Sequence, residues 1–172
     1  MITVLTATNR NGNNTQIIAE KYLEFLHAEG AKAQYFSLEL LPNDFSFMSI
    51  HQTKSEAFKQ LLDTYFKSAQ KIVIVVPEYN GSYPGVLKSF IDATRPEIWH
   101  GKKVSLVGIA SGRGGNVLGM EHLSSILHHL QMIIMPQRLP ISRVEELVQE
   151  RVLKDEITLD LIHKHAKRFI HF

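Results

Sequence analysis

Ile72-Val73-Ile74-Val75-Val76-Pro77-Glu78-Tyr79-Asn80-Gly81-Ser82-Tyr83-Pro84-Gly85-Val86-Leu87 is the stretch from which the architecture can be read. Its first five residues are all apolar and all β-branched. Successive side chains of a strand point to opposite faces, so such a run suits a strand buried on both sides. Two prolines and two glycines follow between Pro77 and Gly85, and then Val86, Leu87, Phe90 and Ile91 recur at helical spacing. The unit reads as strand, turn, helix.

Outward from this unit the same alternation repeats. Ile2 to Thr6, Ala33 to Phe36, Val104 to Ile109 and Met132 to Met135 are further short apolar runs. Between them lie helix-period stripes: Ile18, Tyr22 and Phe25; Phe58, Leu61, Leu62, Tyr65 and Phe66; Leu123, Ile126, Leu127 and Leu130. A last helix is expected from Asp155, a good N-cap, to a basic end of Lys164, His165, Lys167, Arg168 and His171, read as solvated. Five strands alternating with helices through right-handed crossovers predict an α/β three-layer sandwich, a doubly wound parallel sheet of order 2-1-3-4-5. One domain spanning residues 1–172 is expected from the length. The connection from Leu38 to Lys54 carries Leu40, Leu41, Phe45, Phe47, Met48 and Ile50, too apolar to stand free in water. It either packs on the core or covers a site or subunit interface.

Composition narrows the chemistry. With no cysteine, thiolate nucleophiles and Cys-held metals or clusters are excluded, and any redox role falls to a bound cofactor. A formal charge of +2 is too small to attract nucleic acid or an anionic membrane, so neither partner is expected. No apolar run approaches the roughly 20 residues that span a bilayer. No basic residue precedes Arg10, which does not fit a signal peptide, and a soluble, cytoplasmic protein is expected. The histidines His128-His129 and His163-x-His165 have no carboxylate at ligand spacing, so no metal site is expected. Hydrolase chemistry is disfavoured: there is no Gly-x-Ser-x-Gly elbow, and Ser82 has no His near it in sequence.

In a sheet of this order, ligands bind past the carboxyl ends of the strands where the order reverses. Three strand-to-helix loops lie there. The first, Thr8-Asn9-Arg10-Asn11-Gly12-Asn13-Asn14-Thr15, is wholly polar or Gly. Free N–H groups of a helix N-terminus, the side chains of Thr8, Asn13, Asn14 and Thr15, and the Arg10 cation are the donor types of a phosphate cradle. An ordinary Asn-rich capped turn fits the same residues. It is not a nucleotide-hydrolase P-loop, because the Gly-Lys-Ser/Thr ending is absent. The second, Pro77 to Gly85, suits a turn that presents main-chain groups to the edge of a flat heterocycle while Tyr79 packs on its face; a plain tight turn is equally consistent with its composition. The third, Ser111-Gly112-Arg113-Gly114-Gly115-Asn116, lacks the third glycine of a dinucleotide fingerprint, Val117 standing there. It reads as a turn that lets a planar cofactor approach the backbone, or simply as a tight turn.

Pro77-Glu78-Tyr79-Asn80-Gly81-Ser82, followed by Pro84-Gly85-Val86-Leu87-Lys88 and Asp92, resembles the signature of the NAD(P)H-dependent FMN reductase family, flavodoxin-like quinone, azo-dye and chromate reductases. The first loop is similar to that family's Gly-Ser-x-Arg-x-x-Ser-x-Asn, with Thr8, Arg10, Asn13 and Thr15 in matching positions and Ala7 in place of Gly. Gly112, Gly115 and Asn116 ahead of His122 and Leu123 resemble its turn after the fourth strand. The resemblance implies non-covalent FMN, its phosphate on Thr8, Arg10, Asn13, Asn14 and Thr15. The ring would lie against Pro77, Glu78, Tyr79, Asn80, Gly81, Ser82, Ser111 and Gly112. It further implies NAD(P)H as co-substrate, a small acceptor such as a quinone, an azo compound or free flavin, and a homodimer or homotetramer. Backbone N–H groups from Tyr79 to Ser82, with Arg113, are expected to stabilise charge on the reduced ring; no side-chain acid or base is required. Two alternatives are a non-enzymatic flavodoxin-like electron carrier, which a charge of +2 disfavours because such carriers are usually strongly acidic, and a cofactor-free regulatory module, hinted at only by Ala7.

Overall fold

A computed structural model of the chain describes residues 1–42, 45 and 54–172. Strands β1 (Ile2–Thr6), β2 (Ala33–Ser37), β3 (Lys71–Pro77), β4 (Lys103–Ile109) and β5 (Ile133–Ile134) form a parallel sheet of order β2-β1-β3-β4-β5. This is the order the alternation predicts. β1 pairs residue for residue with β2 on one side and with Lys71 to Val75 of β3 on the other. The quoted run Ile72 to Val76 is therefore central and fully buried.

Among the described residues six α-helices surround the sheet: α1 (Asn14–Ala28), α2 (Glu56–Leu62, continuing as a π turn over Asp63–Lys67), α3 (Gly85–Asp92), α4 (Val117–His129), α5 (Val144–Leu147) and α6 (Glu156–His171). Period-2 alternation along β3 divides its side chains between two cores. Ile72, Ile74 and Val76 face α2, α3 and α4, in a cluster with Phe36, Phe58, Phe66, Phe90 and Trp99. Val73 and Val75 face α1 and α6, among Ile18, Tyr22, Leu26, Ile162 and Phe169. No helix among the described residues is long and apolar enough to cross a membrane.

Two departures from the sequence reading have physical causes. Met132 to Met135 does not run as one full strand. After Met135 donates to the Val104 carbonyl at 2.8 Å, Pro136 has no N–H to continue the ladder. The chain loops out and re-enters as β6 (Leu139–Ile141), which pairs with Val107 to Ile109 of β4. The basic end of α6 is also not wholly solvated. His165 is buried, its Nδ1 3.0 Å from the Tyr22 hydroxyl and its Nε2 3.1 Å from the Gln137 carbonyl. A carbonyl only accepts, so Nε2 carries the proton and Nδ1 accepts from Tyr22. Burial lowers the His165 pKa and keeps the ring neutral.

A hairpin of β7 (Val148–Gln149) and β8 (Val152–Leu153) joins α5 to α6, and Asp155 caps α6 by accepting from the Thr158 N–H at 2.8 Å, as expected. Of the apolar connection, Leu38, Leu41 and Phe45 pack on the core, Phe45 with its ring 5.4 Å from that of Phe58, whereas Leu40 is exposed. Phe47, Met48 and Ile50 lie outside the described residues.

Candidate functional site

The first loop leaves β1 with Ala7 still paired to the sheet, its N–H on the Val75 carbonyl at 2.9 Å and its side chain buried in the core. Thr8 is buried too. Its hydroxyl accepts from the Arg10 N–H at 3.2 Å and shares a 2.8 Å hydrogen bond with the Tyr79 hydroxyl, so it ties the first loop to the second instead of standing free. Asn13 is the N-cap of α1: its Oδ1 accepts from the Gln16 N–H at 2.8 Å, while Nδ2 donates to the Arg10 carbonyl and to Glu39 Oε1, each at 2.7 Å. Both ends of that amide are thus committed to shaping the loop. What stays open is the helix end itself. The N–H groups of Asn14 and Thr15 and the Thr15 hydroxyl have no partner among the described residues, and Arg10 is exposed with no carboxylate partner among them.

In the second loop Asn80 and Gly81 both take positive φ, 50° and 74°. This is the two-residue turn that Asn-Gly favours. The flanking residues close it with two hydrogen bonds, Tyr79 N–H to Ser82 O at 2.8 Å and Ser82 N–H to Tyr79 O at 3.1 Å. The expectation that N–H groups throughout Tyr79 to Ser82 could stabilise charge on a ligand is corrected accordingly. Those of Tyr79 and Ser82 are spent within the turn, and those of Asn80 and Gly81 remain. Ser82 also has a histidine after all, Nδ1 of His122 on α4 lying 3.0 Å from its Oγ.

The third loop is held from the C-terminal side. The Gly112 carbonyl accepts from the Arg143 N–H at 2.9 Å, the Arg113 carbonyl from the Ser142 hydroxyl at 2.7 Å, and the Ser111 hydroxyl donates to Glu145 Oε1 at 2.8 Å. Asn116, buried and with φ 60°, reaches across to donate to the Val76 carbonyl at 3.0 Å.

The three loops meet around one cavity of about 330 Å³, within the range of small-molecule sites. Arg10, Asn13, Asn14, Thr15, Pro77, Glu78, Tyr79 and Ser111, all singled out from the sequence, line it. Thr8 lies beneath the lining, and Asn80, Gly81, Ser82, Gly112 and Arg113 are outside it. Asn11, Gly12, Ile109, Ala110, Val144 and Glu145 also line it and were missed. The first four continue loops or strands already suspected. Val144 and Glu145 come from a segment with no local signal at all.

The model of the NADPH-dependent FMN reductase family matches residues 1–146. The chain belongs to this family. The matched stretch holds all three loops and ends within α5, so the β7–β8 hairpin and α6 lie beyond it. Among relatives in the family's range of activities, a 2-hydroxy-1,4-benzoquinone reductase of Burkholderia is 33% identical over 113 residues, covering 57% of this chain and 62% of that protein. An NAD(P)H-dependent FMN reductase of Saccharomyces cerevisiae is 33% identical over 97 residues, 53% of this chain and 49% of the yeast protein. The chain thus spans about half to three-fifths of the length of these two relatives. An FMN-dependent NADPH-azoreductase of Staphylococcus aureus is 25% identical over 134 residues, covering 76% of this chain and 67% of that one. The flavodoxin-like fold is shared with the flavoenzyme NAD(P)H:(acceptor) oxidoreductase FerB of Paracoccus denitrificans, at a TM-score of 0.78 and 22% identity over 99% of this chain and 94% of that one. It is shared also with an archaeal flavodoxin, at 0.63 and 15% over 99% and 97%.

Proposed function

We propose that the protein is an FMN-dependent NAD(P)H oxidoreductase that acts on a small acceptor such as a quinone, an azo compound or free flavin. The observation that carries this reading is the convergence, in one cavity, of the open N-terminus of α1 with Arg10 and Pro77, Glu78 and Tyr79 of the second loop. The donors present fit a phosphate monoester: two main-chain N–H groups at the positive end of a 15-residue helix, the Thr15 hydroxyl and the Arg10 guanidinium, none of them with a partner of its own among the described residues. Thr8 and Asn13, with their side chains committed elsewhere, serve by fixing the loop. Tyr79, Pro77 and Ser111 border the space left for the ring, and the free N–H groups of Asn80 and Gly81 stand on the turn beside it.

When bound, FMN supplies the hydride chemistry, accepting from NAD(P)H and giving to the acceptor. The protein's share is to hold the phosphate, fix the turn at the ring and keep the cavity mouth open to two substrates in succession. The proposal extends to a single domain over residues 1–172, a cytoplasmic location and a homodimer or homotetramer. Exposed Val117 and Leu118 at the start of α4, beside the third loop, support the last of these.

The test is an absorbance spectrum of the purified protein, a titration of the flavin-free form with FMN, and NADPH consumption with a quinone present. Flavin bands, FMN uptake and NADPH oxidation are expected, with FMN binding weakened by Arg10→Ala. Protein that takes up FMN but does not oxidise NADPH directly indicates the electron carrier instead, and protein that takes up no FMN ends the reading.

A further inference from the structure

The segment after β6 borders the cavity and touches the loops on two sides of it. Its first residues hold the third loop through Ser142 and Arg143, Val144 and Glu145 line the cavity wall, and the β7–β8 hairpin then reaches the first loop on the far side. There the exposed Arg151, at the tip of the hairpin, donates from Nη1 to the Gly12 carbonyl at 3.2 Å. The same nitrogen is 3.9 Å from where a Cβ on Gly12 would stand, so the guanidinium rests against the loop backbone two residues before the open end of α1. The turn that presents it is held in an unusual state. Glu150 and Arg151 take φ of 51° and 61°, a conformation that Asn and Gly supply more readily. The hairpin is kept in place by buried Leu153 and by the Lys154 N–H on the Leu147 carbonyl at 3.2 Å. Glu150 pairs with Lys154 at 3.6 Å, and Arg151 has no carboxylate partner among the described residues.

We propose that this hairpin is a clasp on the phosphate loop and that Arg151 is a positioning residue for the phosphate end of the flavin. It fixes the loop through Gly12 and adds a second uncompensated cation to Arg10, favouring a phosphorylated flavin over the dephosphorylated one. The inference rests on the proposed FMN site, but it concerns a residue outside the stretch that the family model matches.

The experiment is a fluorescence titration of flavin-free protein with FMN and, separately, with riboflavin, for the natural chain, Arg151→Ala and Arg151→Lys, at low and high NaCl. Arg151→Ala is expected to weaken FMN about fivefold, the size of an exposed charge interaction. It should leave riboflavin within about twofold, and Arg151→Lys should recover most of the loss. The salt dependence of FMN affinity should be shallower in Arg151→Ala than in the natural chain; this comparison decides the matter if riboflavin binds too weakly to follow. Equal losses for the two flavins overturn the proposal by making the contact a general structural one, and unchanged FMN binding overturns it outright while leaving the proposed function standing. A natural chain that binds neither flavin overturns both. Thermal melts of the variants confirm that each is folded.

Discussion

Gly119 offers a sharp test of how the site is held, because two principles predict opposite results for Gly119→Ala. Gly119 is the third residue of α4, and in a helix interior alanine is favoured over glycine by about 0.5–1 kcal/mol. Propensity alone therefore predicts a more stable protein. The packing predicts the reverse. A Cβ at Gly119 would lie 2.1 Å from Asn116 Oδ1 and 2.8 Å from the backbone carbon of Ser82, the first more than an ångström inside ordinary contact. Asn116 cannot simply turn away, since its Nδ2 donates to the Val76 carbonyl in a buried setting. Breaking that bond leaves the buried Asn116 amide nitrogen without a partner and costs about 1–3 kcal/mol, and pushing α4 off the second loop adds to this. After the gain in propensity is subtracted, a net loss of about 1–2 kcal/mol is expected. For a chain of this length that lowers Tm by about 2–8 °C. Urea and thermal unfolding of the flavin-free protein measure it, and an Asn116→Ala background should shrink the effect because the main clash is then gone. A Gly119→Ala protein that melts at or above the natural one would show that the close approach of α4 to the Asn80-Gly81 turn is not what the structure describes.

Substitutions at three further positions test two residues of the cavity and one buried histidine of the core. Tyr79→Phe removes the hydroxyl bridge to Thr8 and should cost about 1 kcal/mol of unfolding free energy as well as weakening FMN; no change in either measurement would mean that the bridge does not hold the two loops together. Asn13→Ala deletes the cap of α1 and should cost about 1–2 kcal/mol in urea unfolding. Asn13→Asp keeps the cap but sets a second carboxylate against Glu39, so its deficit should grow as pH rises through the carboxylate range. His165 gives the pH dependence of stability: burial lowers its folded pKa below the unfolded value, so its contribution is complete above about pH 6.5 and is lost as pH falls through the folded pKa, the unfolded chain taking up a proton that the folded one resists. A His165→Gln variant should flatten the fall in stability between pH 7 and 5, and an unaltered slope would refute the assignment.

The sheet was legible because parallel strands buried on both faces leave a pattern that few other structures produce. Ile72 to Val76 is such a pattern, and the order of the sheet followed from the helical stripes between strands. The short elements left weaker marks. Pro136 signals the break of the fifth strand but not where the chain goes next, since the return of Leu139 to β4 depends on the free half of a neighbouring strand. The β7–β8 turn hid for another reason. Glu150-Arg151 carries none of the glycine or asparagine that announces positive φ.

At the site, residue type was legible and residue duty was not. Polar side chains in a strand-to-helix loop look alike in one dimension, and Thr8, Asn13 and Thr15 were all candidate donors on equal terms. Three-dimensional hydrogen bonding divides them: Thr8 is consumed by Tyr79 and Asn13 by the cap and Glu39, whereas Thr15 and the bare helix end keep donors that no described residue uses. The same division applies to the second loop, where closing the Asn80-Gly81 turn uses the N–H groups of Tyr79 and Ser82 that composition offered to a ligand. The consumed groups still matter to binding, because a cradle whose donors do not reorganise loses less entropy when it closes on a phosphate. Substitutions at Thr8 and Asn13 should therefore register in stability and in flavin affinity together. Arg10, which is exposed and carries no ion pair among the described residues, should register in affinity alone.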